Sequence, residues 1–469
     1  MAPTLSAPPG PADPHVWQVV VIGAGQAGLA TAHDLARRGL VPGEDFLVLD
    51  DGAGPGGAWR ERWDSLTLGR AHGIADLPGL PLGPVDPTLP ASRVVADYHG
   101  RYEEMFHLAV RRPVRVVAVR STDLPAPALT TAPGSPPAGA VPVSAPPAGS
   151  APAGSAPPDP PPADPLPTPA DHPSRAPLPR DTLLACVVED RRGPDPVRRT
   201  LLTRMVVSAA GTWSRPFVPW VPGAPQFRGR QLHTVDYTRA EDFSGARVVV
   251  VGGGLSAVQF LLELEPVAHT VWATRRPPNF TDVTFDHVWG AEVEEAVDRR
   301  TAAGLPPASV VRTTGIPREP AYLAGIARGT LVSRGMFDRI GAHGVRFSPA
   351  ATSADPAGLG PAARERDRGL VGPDSWRPYA APTWVDADVV FWNTGFRPAL
   401  GPLAPLRLRE PGERGIVMDG RVTVAADPRV LLIGYGSSAS TLGATRAGRE
   451  AARVALSRLT GGPRNGVGP

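Results

Sequence analysis

Two glycine-rich turns, each placed directly after an apolar run, constrain the fold of this chain most. Gly23–Gly28 reads GxGxxG, follows HVWQVVVI (15–22) and opens a helical pattern over residues 28–38. Gly252–Ala257 reads GGGLSA and follows RVVVV (247–251). The first glycine of such a motif makes the turn, the second lets the backbone approach a pyrophosphate, and the third lets helix and strand pack closely. The sequence therefore predicts an α/β protein with two Rossmann-like dinucleotide-binding domains.

The first turn supplies most of the candidate ligands for one nucleotide. A pyrophosphate is favoured at the N-terminus of the following helix, where free N–H groups and the helix dipole attract anions. The strand FLVL (46–49) ends in Asp50, where an acid can accept hydrogen bonds from ribose hydroxyl groups. The predicted ligands are Gly23, Gly25, Gln26, Ala27, Gly28 and Asp50.

The second turn differs because its next strand, TVWAT (270–274), ends in Arg275 and Arg276 and not in an acid. An acid would repel the 2′-phosphate of NADP, whereas two arginines can bind it, so NADP is favoured over NAD. All 48 basic residues are arginine, so a chance pair is the alternative interpretation. The predicted ligands are Gly252, Gly254, Ser256, Ala257, Arg275 and Arg276.

A proline tract interrupts the first domain. Residues 121–180 hold 20 of the 59 prolines, with Ala, Gly and Ser filling most of the rest. Such a composition cannot bury enough apolar surface to offset the entropy of ordering. We predict a disordered insertion in a surface hairpin loop, between strand-like segments at 114–120 and 182–188. A docking site for a proline-recognising partner is the alternative.

Several further motifs resemble those of one protein family, the class B flavin-dependent monooxygenases, which are two-dinucleotide-binding-domain flavoproteins. The most specific is Phe227-x-Gly229-x-x-x-His233-x-x-x-Tyr237, similar to the family fingerprint FxGxxxHxxx[Y/W]. The other segments that carry the resemblance are Gly56–Trp59 (GGAW), Trp63–Leu68 (WDSLTL), Leu77–Gly79 (LPG), Ala209–Pro216 (AAGTWSRP), Asn393–Phe396 (NTGF) and Gly434–Ser437 (GYGS).

The resemblance implies that FAD binds at the first turn and NADPH at the second. It adds Gly57, Ala58, Trp59, Gly395 and Gly436 as candidate flavin contacts. The NADPH domain (241–345) would be inserted into the FAD domain, which would comprise residues 15–240 and 380–460. His233, in the linker, is the candidate catalytic residue, and a role in domain closure is its alternative.

The implied reaction is the transfer of one oxygen atom from O₂ to a small organic substrate through a flavin 4a-hydroperoxide. Gly69 and Arg70 stand where heteroatom-oxidising members often carry Asn, and Tyr237 stands where Baeyer–Villiger members usually carry Trp, so the subclass stays open. The alternative function is an FAD-dependent NADPH reductase that passes electrons to a protein or quinone. The single cysteine, Cys186, excludes a CxxC dithiol.

Composition points away from other partners. The net charge of +3 and the lack of long basic runs give no support for a nucleic-acid partner. No window resembles a membrane helix or signal peptide, so we expect a cytoplasmic protein without a membrane partner. Scattered histidines give no metal-binding pattern.

Overall fold

The computed structural model describes residues 12–71, 74–126, 182–281, 287–307, 315–353, 374–409, 412, 415–439 and 441–460. Most of the predicted proline-rich insertion, residues 127–181, lies outside this part, so its predicted disorder stays a prediction.

Eighteen strands and six α-helices are described within those ranges. The strands are β1 (Ala12–Ile22), β2 (Phe46–Leu49), β3 (Val110–Arg111), β4 (Val114–Pro125), β5 (Thr182–Asp190), β6 (Val197–Ser208), β7 (Arg230–His233), β8 (Arg247–Val251), β9 (His269–Ala273), β10 (Phe280–Thr281), β11 (Ile316–Pro317), β12 (Phe337–Gly341), β13 (Gly344–Phe347), β14 (Thr383–Asp386), β15 (Val389–Trp392), β16 (Met418–Asp419), β17 (Thr423–Val424) and β18 (Val430–Leu432). The α-helices are α1 (Gln26–Arg37), α2 (Ala91–Met105), α3 (Leu255–Leu264), α4 (His287–Ala302), α5 (Pro320–Arg328) and α6 (Thr441–Leu459).

The first sheet is built around β1, which lies between β2 and β6 and runs parallel to both. β3 and β18 extend this parallel arrangement at its two ends, while β5 pairs antiparallel with β4 and β6. Val19, Val20 and Val21 are fully buried, because α1, α2 and α6 cover one face and the β4–β6 strands cover the other. A strand buried on both faces needs the continuous apolar run that the sequence shows.

The second sheet has the parallel order β7-β15-β8-β9. Helix α3 packs on one face, and the antiparallel strands β12, β13 and β14 pack on the other. The parallel strands at the centre of both sheets, each with a glycine turn between strand and helix, confirm the predicted α/β class with two Rossmann-like domains.

Sheet membership differs from the predicted division at residues 240 and 380. β7 precedes residue 240 and β15 follows residue 380, yet the two strands pair with each other in the second sheet. β14 also follows residue 380, and it pairs with β13, which packs on one face of that sheet. The apolar run VVFW fits a central strand of either sheet, so its composition does not say which sheet it joins. β4 also continues to Pro125, beyond the predicted start of the insertion at Ser121.

Two linkers connect the sheets and lie side by side. The first (209–217) leaves the carboxyl end of β6, and the second (393–399) leaves the carboxyl end of β15. Phe217 N donates to Gly395 O at 3.0 Å, and Ala399 N donates to Gly211 O at 2.9 Å. The paired linkers therefore place the carboxyl edges of both sheets next to one junction, where α/β proteins bind their ligands.

Candidate functional site

Two glycines of the first turn are required by the packing of the protein itself. Gly23 has a φ of +100°, and a Cβ there would lie 2.6 Å from Ala209 O. A Cβ on Gly28 would lie 1.9 Å from Gly23 O. These two positions thus fix the tight turn and the close approach of α1 to β1, as the motif predicts.

Gly25 is different, because no described residue lies closer than about 4 Å to the space in front of it. A Cβ there would meet only the Cα of Gly57, at 4.0 Å. Gly25 is the N-cap of α1 and, as a glycine, contributes no side-chain cap to that helix. The structure therefore provides an open cradle at a helix N-terminus, which fits a pyrophosphate. Ala58 is exposed and Trp59 is half-buried beside this cradle.

Asp50 is held by a cation that the sequence analysis did not single out. Its Oδ2 accepts from Arg112 Nε at 2.9 Å, and the same guanidinium donates to both oxygens of Glu103 at 2.7 and 2.8 Å. Asp50 Oδ1 lies 3.4 Å from Ala24 N. Asp50 therefore stands beside the glycine turn in a fixed orientation, as a ribose-binding acid requires.

The remaining predicted ligands of this turn are Gln26 and Ala27, both half-buried on the first turn of α1. The Gln26 amide donates to Thr445 Oγ1 on α6 at 2.8 Å. Gln26 therefore ties the cradle to the last helix of the chain.

The second glycine turn repeats this design. Gly252 has a φ of +139°, and a Cβ there would lie 2.2 Å from Asn393 O at the start of the second linker. Gly254 is the N-cap of α3, again without a side-chain cap, while Ser256 is half-buried and Ala257 is fully buried. The N-terminus of α3 is thus also available to an anion.

Four arginines follow the carboxyl ends of three adjacent segments at this edge. Arg275 and Arg276 come after β9, and single parallel bridges align Trp272 with Ser333 and Ser333 with Trp376. Arg334 and Arg377 come directly after those two bridge residues. Within the described part of the chain, none of the four guanidinium groups forms an ion pair. Sequence reasoning missed Arg334 and Arg377, because arginine is common in this chain and only the fold aligns these segments.

His233 ends β7 and is 3% exposed. Its Nε2 lies 3.1 Å from Gly395 O, and because a carbonyl oxygen only accepts, Nε2 is the donor. Burial lowers the pKa of the imidazole, which favours the neutral form, and Nδ1 has no hydrogen-bond partner among the residues that the structure describes. His233 therefore holds the second linker, and its ring edge contacts Phe396 at a centroid distance of 5.0 Å.

Tyr237, the last fingerprint residue, joins three separate segments. Its hydroxyl donates to Glu263 Oε1 on α3 at 2.7 Å, and Ser65 Oγ donates to the same oxygen. Its ring packs against Trp63 and Phe260. The tyrosine thus ties the fingerprint segment (227–237) to two other elements, the WDSLTL segment of the first domain and helix α3 of the second.

The last predicted flavin contact, Gly436, begins the short 3₁₀ helix Gly436–Ala439 before α6. Its φ is +76°, and a Cβ there would lie 3.5 Å from Thr301 at the end of α4. The Ser437 hydroxyl beside it is buried without a hydrogen-bond partner in the described ranges. Helix α4, from the inserted segment, therefore covers this turn of the first domain.

Comparison with known proteins matches this geometry. A family model described as NAD(P)-binding Rossmann-like domain matches residues 21–73, and one described as Flavin-binding monooxygenase-like matches residues 197–288. A flavin-containing monooxygenase from Stenotrophomonas maltophilia is 28% identical, with a TM-score of 0.62, over 94% of this chain and 99% of that protein. The chain is thus similar to flavin-containing monooxygenases both in these matched segments and over nearly its whole length. This similarity confirms the resemblance that the sequence motifs indicate.

FAD and NADPH are the cofactors that this similarity supports, since the matched segments contain both glycine turns. The cradle at Gly25 and the free N-terminus of α3 are compatible with them. The assignment of individual ligands, including Asp50, Arg275 and His233, stays a prediction.

The curated relatives match over shorter stretches. An uncharacterised oxidoreductase of Bacillus velezensis is 22% identical over 56% of this chain and 56% of its own length. A Baeyer-Villiger monooxygenase of Streptomyces coelicolor is 35% identical over 20% of this chain and 19% of its own length. The chain thus spans about half or less of these curated relatives. In the part of the chain that is described, no helix is long and apolar enough to cross a bilayer.

Proposed function

We propose that this protein is an FAD- and NADPH-dependent monooxygenase that transfers one atom of O₂ to a small organic substrate. The observation that carries the proposal is the position of the fingerprint residues at the junction of the two nucleotide folds. His233 binds the second linker, and Tyr237 binds Glu263 on the helix that begins at the second glycine turn. The likeness to a flavin-containing monooxygenase extends over nearly the whole chain.

The protein's part in this reaction is binding, orientation and exclusion of water. FAD, when bound, supplies the redox and oxygen chemistry, with hydride equivalents from NADPH. Gly25 and Gly57 leave room for one pyrophosphate, and the N-terminus of α3 at Gly254 can receive the other. Because both linkers start at carboxyl strand ends and pair with each other, the two nucleotides would be directed to one junction.

His233 acts in this proposal as a positioning residue. A buried, neutral imidazole that donates to Gly395 O fixes the second linker relative to β7. Its Nδ1 is buried, and no described side chain forms a hydrogen bond with it. These contacts favour the closure interpretation of His233 over direct proton transfer.

The reaction type is tested by stoichiometry. With FAD-loaded protein, a panel of sulfides, amines and ketones should include a substrate that accelerates NADPH oxidation, with one O₂ consumed and one oxygenated product formed per NADPH. Hydrogen peroxide should be the minor product in its presence. NADPH oxidation that no substrate accelerates, together with rapid reduction of an artificial electron acceptor, would instead establish the reductase. The class of accepted substrate decides between heteroatom and Baeyer–Villiger oxygenation.

A further inference from the structure

Arg62 lies at the junction of the two domains and has no acidic partner among the described residues. Its guanidinium carbon lies 3.7 Å from the ring centroid of Trp213 and 5.7 Å from that of Trp59. Its Nε is fully buried and has no hydrogen-bond partner, and no acid pairs with this side chain anywhere in the described chain. By contrast, Arg112 in the same domain contacts two carboxylates.

Burying part of a charged guanidinium without an acidic partner costs free energy. Burial lowers the pKa of the Arg62 guanidinium to about 10, so the group is still protonated at neutral pH. The side chain as a whole is half-buried, and stacking over an aromatic ring offsets about 0.5–2 kcal/mol of the cost of burying its Nε. The positive charge has no acidic partner among the described residues, and a bound anion would compensate it.

The position of Arg62 limits what that anion can be. Gly57, five residues earlier, faces Gly25 in the first cradle, while Trp63, the next residue, packs into the core of the second domain. Trp213, beneath the guanidinium, belongs to the first linker. Arg62 thus stands where both dinucleotides would be directed. The groups that are always anionic on FAD and NADP(H) are their phosphates, which an arginine fork binds well.

We propose that Arg62 binds a phosphate group of FAD or NADP(H) at the junction of the two domains. The inference rests on the proposed use of both dinucleotides by this chain. It assigns a ligand contact to a residue outside both glycine motifs and outside the fingerprint.

Three variants test it. Arg62→Met keeps an unbranched apolar stem but removes the charged guanidinium, and Arg62→Lys keeps the charge but not the fork. Arg60→Met is the control. Arg60 is exposed and also has no acidic partner within the described residues, so solvent already screens its charge. FAD is titrated into flavin-free protein by flavin fluorescence, and NADP⁺ is titrated into FAD-loaded protein by calorimetry. The two titrations distinguish which dinucleotide supplies the phosphate.

Arg62→Met should weaken one of the two affinities by about ten- to a hundredfold, which is the usual effect of losing hydrogen bonds to a charged group. Arg62→Lys should lie between Arg62→Met and the wild type, and Arg60→Met should match the wild type. The melting temperature of nucleotide-free Arg62→Met should equal or exceed that of the wild type, because an uncompensated charge has been removed.

The proposal is overturned if Arg62→Met leaves both affinities within about twofold of wild type. It is also overturned if the loss of unfolding free energy in the nucleotide-free variant is as large as the loss of binding free energy. The arginine would then only support the packing of Trp213. If Arg62→Met does not fold, the affinities of Arg62→Lys decide. A wild type that binds both dinucleotides but oxygenates nothing would refute the proposed function and leave these readouts intact.

Discussion

Gly57 and Gly25 approach each other so closely that a Cβ on Gly57 would lie 2.8 Å from the Cα of Gly25. Gly57 adopts a φ of +53°, and the space that remains beside Gly25 is the cradle of the first nucleotide site. The backbones of two loops, and not side chains, thus form this cradle. Different glycines of one motif therefore serve different purposes, which mutation can separate.

Gly25→Ala should leave the fold intact and remove FAD. Among the described residues, a methyl group at this position meets only Gly57 Cα, at 4.0 Å, but it occupies space that the pyrophosphate needs. The far-UV circular dichroism and melting temperature of the flavin-free protein should match the wild type, while no flavin survives gel filtration. Gly28→Ala is the matched control: its methyl group would lie 1.9 Å from Gly23 O, so it should destabilise the flavin-free protein itself. A yellow Gly25→Ala protein would contradict the assignment of this cradle to FAD.

The features that sequence predicted are local ones. A glycine turn after an apolar strand lies within about ten consecutive residues, so its pattern can be recognised from the sequence alone. The features that it missed depend on contacts between distant segments: Arg112 meets Asp50 across 62 positions, and Ser65 meets Glu263 across 198. The sequence also cannot predict which sheet β15 joins, because a fully buried strand has the same composition in either sheet.

NADPH should be preferred to NADH because of the arginines at the carboxyl edge of the second sheet. Three variants, Arg275→Ala, Arg276→Ala and Arg334→Ala, each remove one of these arginines. A variant that removes a contact with the 2′-phosphate should bind NADPH more weakly by roughly 1.5–3 kcal/mol, or about ten- to a hundredfold. The KM for NADH should stay unchanged, which serves as the control. Steady-state kinetics with both coenzymes measure this effect. Equal efficiency with NADPH and NADH in the wild type, unchanged in all three variants, would reject the site.

The proline tract should be dispensable. Pro125 and Thr182 are paired neighbours in β4 and β5, so a short glycine-containing turn can replace residues 127–181. Arg429 also holds both strands, donating to Thr182 Oγ1 at 2.8 Å and to Ser121 Oγ at 3.0 Å. Loop length changes closure entropy slowly, by about 0.6 kcal/mol per doubling, so flavin content and NADPH oxidation should be nearly unchanged.

The contrasting variant is Arg429→Leu, which leaves the fully buried Asp427 carboxylate without its cation. Removing one partner of a buried ion pair costs roughly 3–5 kcal/mol, so this single change should harm stability more than the deletion of the whole tract. Loss of folding in the deletion protein, with Arg429→Leu well folded, would show that the tract itself supports the structure.

The stability of the protein should fall as the pH is lowered towards 4, partly because of His99. Burial, with a further contribution from the Arg112 cation, lowers the pKa of His99 from 6.5 to about 4. The unfolded chain therefore binds a proton below pH 6.5 that the folded protein does not, so the free energy of unfolding declines between pH 6.5 and 4. Each unit of pKa corresponds to 1.36 kcal/mol, so His99 accounts for roughly 3 kcal/mol of this decline. His99→Leu should remove that part, measured as the difference between the two urea-unfolding profiles against pH. Parallel profiles would refute it.

The fingerprint tyrosine should stabilise the junction through its hydroxyl group. Tyr237 and Ser65 both donate to Oε1 of Glu263, and the structure shows no cation paired with this half-buried carboxylate among the described residues. A hydrogen bond to a charged group contributes about 1.5–3 kcal/mol, and a buried charged group left without any donor costs more. Tyr237→Phe and Ser65→Ala should therefore each destabilise the protein moderately, because the other hydroxyl still satisfies Glu263.

Their combination decides whether the two hydroxyls act together. In the double variant Glu263 loses both donors, so its loss in unfolding free energy should exceed the sum of the two single losses by about 0.5 kcal/mol or more. Glu263→Gln is the control, because an amide oxygen needs less compensation, and in that background the double loss should become additive. Urea unfolding of the single and double variants in both backgrounds measures the coupling. If the losses are additive within about 0.3–0.5 kcal/mol with Glu263 present, the two hydroxyls act independently. The contribution of Tyr237 to stability would then come from its ring, which packs on Trp63 and Phe260.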